Sequence, residues 1–309
     1  MQKIQENVPI KSLTTFEIGG IVRYLVDVRS EGEILEALSW AKEHSMRHFI
    51  LAGGSNVVMP DGLIDALIIR IKGDLWSVSG TEIDVWGGTN LLHLIQVLGA
   101  QGIGGSEKLA GIPGSVGGAI RGNAGAFGSE IKDFVVSVRA LNIESAETRI
   151  FTNPECDFSY RHSYFKDHPE WVVTRAVLGL LSVDPGASAN AAAETINERE
   201  RRHLQNVRAA GSYFMNPVAP REIQELFERE KGVASREGRV PAGWLIEKAG
   251  MKGAVVGGAM ASMQHPNYLV NTGSAKTQDV LQLAERVKAA VFEMFKIELE
   301  EEAVRVSFD

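Results

Sequence analysis

The sequence predicts an α+β fold, two small α+β units followed by a third, and three observations point there. Residues 30–71 carry a strand–helix–strand pattern. Residues 73–183 combine short strands with a segment, 109–128, too dense in glycine for one regular element. From about Gly211 onward, helices and short strands lead to a long amphipathic helix.

Each element has a local reason. Ser30-x-x-Glu33 reads as a capping box, in which two side chains satisfy backbone N–H groups at a helix start. It opens a helix with Ile34, Leu35, Leu38 and Ala41 at helical spacing. His48–Leu51 reads as a buried strand running into Gly53-Gly54-Ser55-Asn56, and Ala66–Ile71 as a second apolar strand. Thr81–Gly87 alternates like a strand, and Thr89 is placed to cap a helix through Leu98. Strands are expected at Phe134–Leu141 and Trp171–Leu180, then a charge-rich helix around Glu194–His203. Pro220 suits the first turn of the next helix. A short helix through Trp244–Ala249 stops at Gly250, a suitable C-cap. The long helix runs from Gln278 to Phe295 with Val280, Ala284, Val287, Val291 and Met294 on one face, and Leu299–Phe308 reads as a strand.

Composition removes several functions. With 44% hydrophobic and 23% charged residues in 309, the chain is globular rather than disordered. Lys plus Arg is 32 and Asp plus Glu 39, a net charge of −7, without the basic footprint of a nucleic-acid binder. The single Cys156 excludes an internal disulfide framework and a CxxC zinc or redox site, and reads as a small buried residue; no metal is expected. The start, MQKIQENVPIK, has no apolar core of a signal peptide. The longest uncharged stretch, Gly253–Ala275, is long enough to span a bilayer but holds His265, Pro266, Asn267 and several glycines, and reads as buried strand and loop. A soluble cytoplasmic protein without membrane or nucleic-acid partners is expected.

Glycine numbers 32, and two loops concentrate it: Gly53–Asn56 and Gly111–Gly128. Backbone N–H groups in such turns can converge on anionic oxygens, which suits a diphosphate-bearing ligand. Tight turns in a β-rich domain are the competing explanation, evenly matched for the first loop and the weaker one for the second. No Gly-Lys-Ser/Thr of a Walker loop occurs. Gly102-Ile103-Gly104 has Glu107 where a GxGxxG fingerprint needs glycine, so a dinucleotide would need a different cradle.

AGGSNVV, LAGIPGSVGGAIRGNAGAFGSEI, FSYRHSYF, AGSYFMNP and AGWLIEKAGMKG, in this order, resemble the motifs of the UDP-N-acetylenolpyruvoylglucosamine reductase family, flavoenzymes of peptidoglycan precursor synthesis. The resemblance runs from Thr14–Gly20 to the C-terminal segment. It implies an FAD-binding domain of the vanillyl-alcohol-oxidase (PCMH) type, made of two α+β subdomains, plus a C-terminal α+β substrate domain. The corresponding division is 1–72 and 73–200 for the two FAD-binding subdomains and 201–302 for the substrate domain, with a terminal strand 303–309 joining the first. Tyr160-Arg161 runs soon into the next strand, as in the shorter form of the family without an inserted tyrosine loop. The implied reaction is the NADPH-dependent reduction of an enolpyruvyl ether of a UDP-sugar by way of FAD. Oligomeric state is left open, a monomer being compatible.

The implied cofactor-binding residues are Gly53, Gly54, Ser55, Asn56, Gly111, Ile112, Gly114, Ser115, Gly117, Gly118, Asn123, Ala124 and Gly125. No histidine falls in either glycine loop, so FAD is expected to be held noncovalently. Ser212 matches the family's proton-donating serine, although from spacing alone it reads as a turn serine. Arg161 matches the catalytic arginine, whose fixed charge suits a carboxylate or enolate. For the acid, counting from Leu299 selects Glu302, whereas counting back from Val304-Arg305 lands on Ala303; Glu302 is chosen, with one residue to be accommodated, and Glu301 is expected on a solvated strand edge. Tyr160, Asn216, Lys252 and His265 are the implied substrate-binding residues, each with a structural alternative. Met215 stands where the family usually has Lys, and the segment 205–212 is shorter than the family leads one to expect. Two other readings stay open: another flavin oxidase or dehydrogenase of the same fold, and a non-catalytic flavin or nucleotide-sugar binder.

Overall fold

The computed structural model describes residues 3–202 and 207–308. Strands β1 (Gln5–Pro9), β2 (Ile21–Val28), β3 (Arg47–Leu51) and β5 (Leu63–Ile71) form a four-stranded sheet in the order β1-β2-β5-β3, while β4 (Val57–Val58) stands apart. β2 and β3 both run parallel to β5, and helix α1 (Glu31–Glu43) makes the crossover between them. Successive side chains of a strand point to opposite faces. In β5, Leu67, Ile69 and Ile71 accordingly face α1, while Ile64, Ala66 and Ile68 enter a second core with Ile10, Met59 and Val306. Ser30 caps α1 by accepting the Glu33 N–H, but the Glu33 carboxylate takes the Arg29 N–H at 2.6 Å rather than that of Ser30, so the expected box is shifted by one residue.

A second, antiparallel sheet has the order β12-β11-β13-β7-β6, from β6 (Trp76–Ser79), β7 (Glu82–Trp86), β11 (Val135–Asn142), β12 (Thr148–Thr152) and β13 (Trp171–Gly179). One face is covered by α2 (Leu91–Ala100), α3 (Val116–Arg121), α4 (Tyr164–Asp167) and α5 (Pro185–Arg201), with Cys156 fully buried and its thiol pushed up to about 12 by burial. Short pairs complete the unit: β8 (Ile103–Gly104) with β14 (Leu181–Ser182), and β9 (Gly125–Ala126) with β10 (Ser129–Glu130). Glu31 at the start of α1 ties the two sheets together. Its carboxylate takes both Arg139 Nε and Nη2, at 2.8 and 2.9 Å, and the Thr174 hydroxyl. Arg139 foremost holds this carboxyl below the ordinary carboxylate range.

The third region packs α6 (Arg221–Lys231), α7 (Ala242–Lys248) and α8 (Thr277–Phe295) around a sheet of β15 (Val255–Val256), β16 (Ala259–Ala261) and β17 (Leu269–Asn271). Its core also takes Phe16, Ile18 and Val58 from the first region and Leu299 and Ala303 from the tail. Among the described residues no helix is long and apolar enough to cross a membrane.

Four expectations are corrected. Asn90, not Thr89, caps α2 by accepting the His93 N–H; Thr89 is fully buried, with its hydroxyl bound to Leu75. The glycine-dense segment contains a helix after all, α3, because Ser115 caps it and Gly117 lies against the carbonyls of Gly87 and Val173, where no side chain fits. Met294 is 56% exposed, because α8 ends on Lys296 at φ 56° and the apolar face stops at Val291. The tail is no continuous strand: only β18 (Val304–Arg305) pairs in a ladder, parallel to β4, as the chain bends at Ala303. His203 and Gln205, and with Gln205 the start of the short segment, lie outside the described residues.

Candidate active site

The two glycine loops meet. A Cβ on Gly53 would stand 2.5 Å from the Gly114 Cα, and the Ser55 hydroxyl donates to the Pro113 carbonyl at 3.0 Å. Gly114 has φ +119°, which side-chain-bearing residues rarely adopt, and its carbonyl accepts the Leu91 N–H. Much of the glycine is therefore spent on protein contacts: Gly53 against Gly114, Gly54 against the Leu13 carbonyl, Gly117 against Gly87. Gly118 differs, since a Cβ there would meet nothing nearer than 3.5 Å. Among the described residues, no hydrogen bond reaches the backbone N–H groups of Gly53, Gly54, Ser55 or Asn56. A run of N–H groups unengaged among the described residues, near a glycine where a Cβ would meet only ordinary contacts, fits an anionic diphosphate such as that of FAD.

The remaining members of the second loop serve the frame around Arg161. Asn123 is fully buried at φ 40°, and its amide donates to the Ser159 carbonyl at 2.8 Å and to Glu130 at 3.1 Å. Ile112 and Ala124 pack against the core of the second sheet. Gly111 turns at φ +81°, and Gly125 offers its carbonyl to Arg161 Nη2 at 3.1 Å.

Arg161 itself has φ 57°, a strained value for a side-chain-bearing residue that recurs at functional sites. Its Nε lies 2.8 Å from Glu302 Oε1, with side chains only 20% and 19% exposed. The N–H is not aimed along this short approach, so Nε has charge contact without a formed hydrogen bond. Burial raises the Glu302 carboxyl above its ordinary range, and Arg161 opposes that shift.

The tail positions Glu302 through backbone. The Tyr213 carbonyl accepts both the Glu302 N–H at 2.8 Å and the Ala303 N–H at 3.3 Å, while the Met215 N–H reaches the Glu300 carbonyl. Two consecutive donors on one carbonyl are the mark of a bulge, which absorbs an extra residue. With this bulge Ala303 enters the core and Glu302 turns to Arg161. Glu301 is corrected: it is no solvated edge residue, because its side chain is 22% exposed and paired with Lys288 at 3.0 Å. Asn56 Nδ2 donates to the Glu302 carbonyl at 3.0 Å, linking this acid to the first glycine loop.

Ser212 precedes Tyr213 and is half-buried, and its hydroxyl makes no hydrogen bond among the described residues. Asn216 receives the Ala242 N–H on Oδ1 at 2.9 Å, satisfying an open donor at the start of α7, and its own N–H meets the Tyr160 hydroxyl at 3.3 Å. Tyr160 lies between two guanidinium groups, Arg239 at 4.3 Å and Arg161 at 5.3 Å from its ring centre, and burial raises its phenol. His265 packs edge-on to Tyr268, has a buried Nδ1 without a partner, and is held by burial below its usual pKa, hence neutral near pH 7. Among the described residues Lys252 is not drawn into this cluster; its ammonium pairs with Glu247 at 2.8 Å on the surface. Sequence reasoning missed Arg239, Tyr268 and Arg199. An arginine carries no local spacing signal for burial, and only the fold shows Arg199 enclosed and without an acidic partner among the described residues.

The fold and this site define a flavin-dependent oxidoreductase with an FAD-binding half. A family model described as an FAD binding domain matches residues 22–150, and one for the C-terminal domain of UDP-N-acetylenolpyruvoylglucosamine reductase matches residues 202–306. The reductase of that name from Solibacter usitatus is 32% identical over 303 residues, covering 97% of this chain and 95% of its own. That of Bacillus subtilis is 32% identical over 302 residues, covering 97% and 93%. The crystal structure of the Thermus caldophilus reductase superposes with a TM-score of 0.76 at 30% identity, covering 98% of both chains. The chain belongs to the UDP-N-acetylenolpyruvoylglucosamine reductase family.

Proposed function

We propose that the protein reduces the enolpyruvyl group of UDP-N-acetylglucosamine enolpyruvate to give UDP-N-acetylmuramate, with NADPH as hydride donor and noncovalent FAD, as a cytoplasmic step of peptidoglycan precursor synthesis. The observation that carries it is the Arg161–Glu302 pair, 2.8 Å apart and shielded from water beside the Ser212 segment. FAD, held by the joined glycine loops, supplies the hydride chemistry. Ser212 delivers the proton to the carbon next to the substrate carboxylate. Arg161 stabilises the negative charge that grows there, in a setting where water is excluded and charge contacts are strong. Glu302 keeps Arg161 in place, and its raised pKa suits a carboxyl that shares a proton with the enolate region. Tyr160, Asn216 and neutral His265 border the substrate. Among the described residues Lys252 has the surface pair with Glu247, and a contact from it to substrate rests on the family motif alone. The units 1–72, 73–200 and 201–302 are proposed as the two flavin-holding subdomains and the substrate domain, with 303–309 returning to the first.

An absorption spectrum tests this reading. The purified protein should be yellow, lose its colour with NADPH, and regain it faster on enolpyruvyl-UDP-N-acetylglucosamine than on dioxygen. Faster recovery on dioxygen would favour an oxidase of the same fold, and colour unaffected by NADPH a non-catalytic binder.

A further inference from the structure

Arg199 lies on the last turn of α5 with 6% of its surface exposed, among the most enclosed charged side chains in the protein. Its Nε is buried without a hydrogen-bond partner. No Asp or Glu pairs with it among the described residues. The neighbouring Glu198 is engaged by Arg201 and Arg202. Arg199 reaches the hydroxyl of Tyr268, itself 6% exposed, and burial weighs against its charge. Tyr268 lies within the fields of Arg161 and Glu302, and Arg161 bears on Arg199 directly. Among the described residues, the charged and titratable groups that bear on this guanidinium are thus a phenol and a further cation, with a carboxylate beyond them already given to Arg161.

A guanidinium cannot shed its proton at ordinary pH, so a buried one without a counter-ion is costly to the folded state. Proteins keep such groups where a ligand supplies the missing charge. Resting on the activity proposed above, we propose that Arg199 is a substrate-contacting residue, the counter-ion of the enolpyruvyl carboxylate. That carboxylate is bonded to the very carbon that receives the proton, so it must lie beside the Arg161–Glu302 pair. The diphosphate of the same substrate is separated from that carbon by the sugar ring. A cation joined to the catalytic pair through Tyr268 therefore faces the carboxylate. Arg161 is then free to follow charge as it develops, while Arg199 holds charge that is present from the start.

The test uses the flavin-loaded protein, the Arg199→Met variant, and two ligands with the same nucleotide sugar: enolpyruvyl-UDP-N-acetylglucosamine and UDP-N-acetylglucosamine, which lacks the carboxylate. Binding is followed by the change in flavin fluorescence. Arg199→Met should weaken the enolpyruvyl ligand by about 10–100-fold, as for a lost charged hydrogen bond, and leave UDP-N-acetylglucosamine within ~3-fold. FAD content should be unchanged, and the unliganded variant should melt at the same temperature or higher, since an uncompensated charge has been removed. Arg199→Lys, with charge but no fork, should fall between. Equal weakening of both ligands, or of neither, overturns the proposal. So does a variant that melts lower or fails to fold, because Arg199 would then already have its counter-charge in the protein. A wild type that fails to prefer the enolpyruvyl ligand removes the proposed activity and this inference together. A selective wild type with an equally selective variant removes only the inference.

Discussion

Replacing Ser212 by Ala separates chemistry from architecture. The hydroxyl is half-buried and makes no hydrogen bond among the described residues, so its removal orphans no partner. Stability should change by no more than about 0.5 kcal/mol. The backbone duty of this segment, the Tyr213 carbonyl on the Glu302 and Ala303 N–H groups, does not involve the Ser212 side chain. Arg161 and Glu302 therefore stay 2.8 Å apart, and substrate affinity should be little changed. On the proposed function, what is lost is a positioned proton donor, which typically costs about 10²–10⁴-fold in the step it serves, or roughly 3–5 kcal/mol of barrier. Loss of colour on NADPH involves no proton at the substrate carbon and should keep its rate. Recovery of colour on the enolpyruvyl substrate should slow by the full factor. Stopped-flow absorbance follows the two phases separately. Recovery at the wild-type rate would show that Ser212 is a turn serine and that the proton comes from elsewhere, Glu302 or a water being next in line.

Three further outcomes are expected. Gly118→Ala gains roughly 1 kcal/mol of helix propensity and meets no protein atom closer than 3.5 Å, so it should fold with lowered FAD content; full occupancy in a heat-release assay would show that this space is not used by the cofactor. Asn216→Ala leaves the Ala242 N–H without its acceptor and should lose about 1–3 kcal/mol in denaturant unfolding, whereas Asn216→Asp keeps the acceptor and should lose less; equal losses would discount the cap. His265 has a depressed pKa, so below its unfolded value of about 6.5 the unfolded chain takes up a proton that the native one refuses, and stability falls as pH falls. His265→Phe should remove that part of the decline between about pH 7 and 5, and parallel melting curves for the two proteins across this range would count against it.

Much of the frame is legible in the sequence because it rests on local rules. Ile34 and Ala41 mark α1, the apolar run Ala66–Ile71 marks a strand buried on both faces, and Gly250 at φ +70° ends α7 as its position suggests. The failures are non-local. Asn90 and Thr89 are equally good caps in isolation, and the choice follows from Leu75 occupying the threonine hydroxyl. The tail reads as one strand from its side chains, but the bulge opposite Tyr213 breaks it, and that break decides which glutamate faces Arg161. Lys252 and Asn216 show the same limit from the other side. Their motifs identify them, but only the fold shows the first paired at the surface and the second capping a helix.

The return of β18 to β4 has a consequence for how the protein is made. The ribosome delivers β4 some 245 residues before its partner, and Glu302 is held by Asn56 on one side and Tyr213 on the other. The glycine loops can form early, since domains tend to fold as they emerge. The acid that pairs with Arg161 is synthesised after Arg161 itself and after both of its anchors, Asn56 and Tyr213. A nascent chain that has not reached Glu302 can thus hold both glycine loops while Arg161 still lacks its carboxylate.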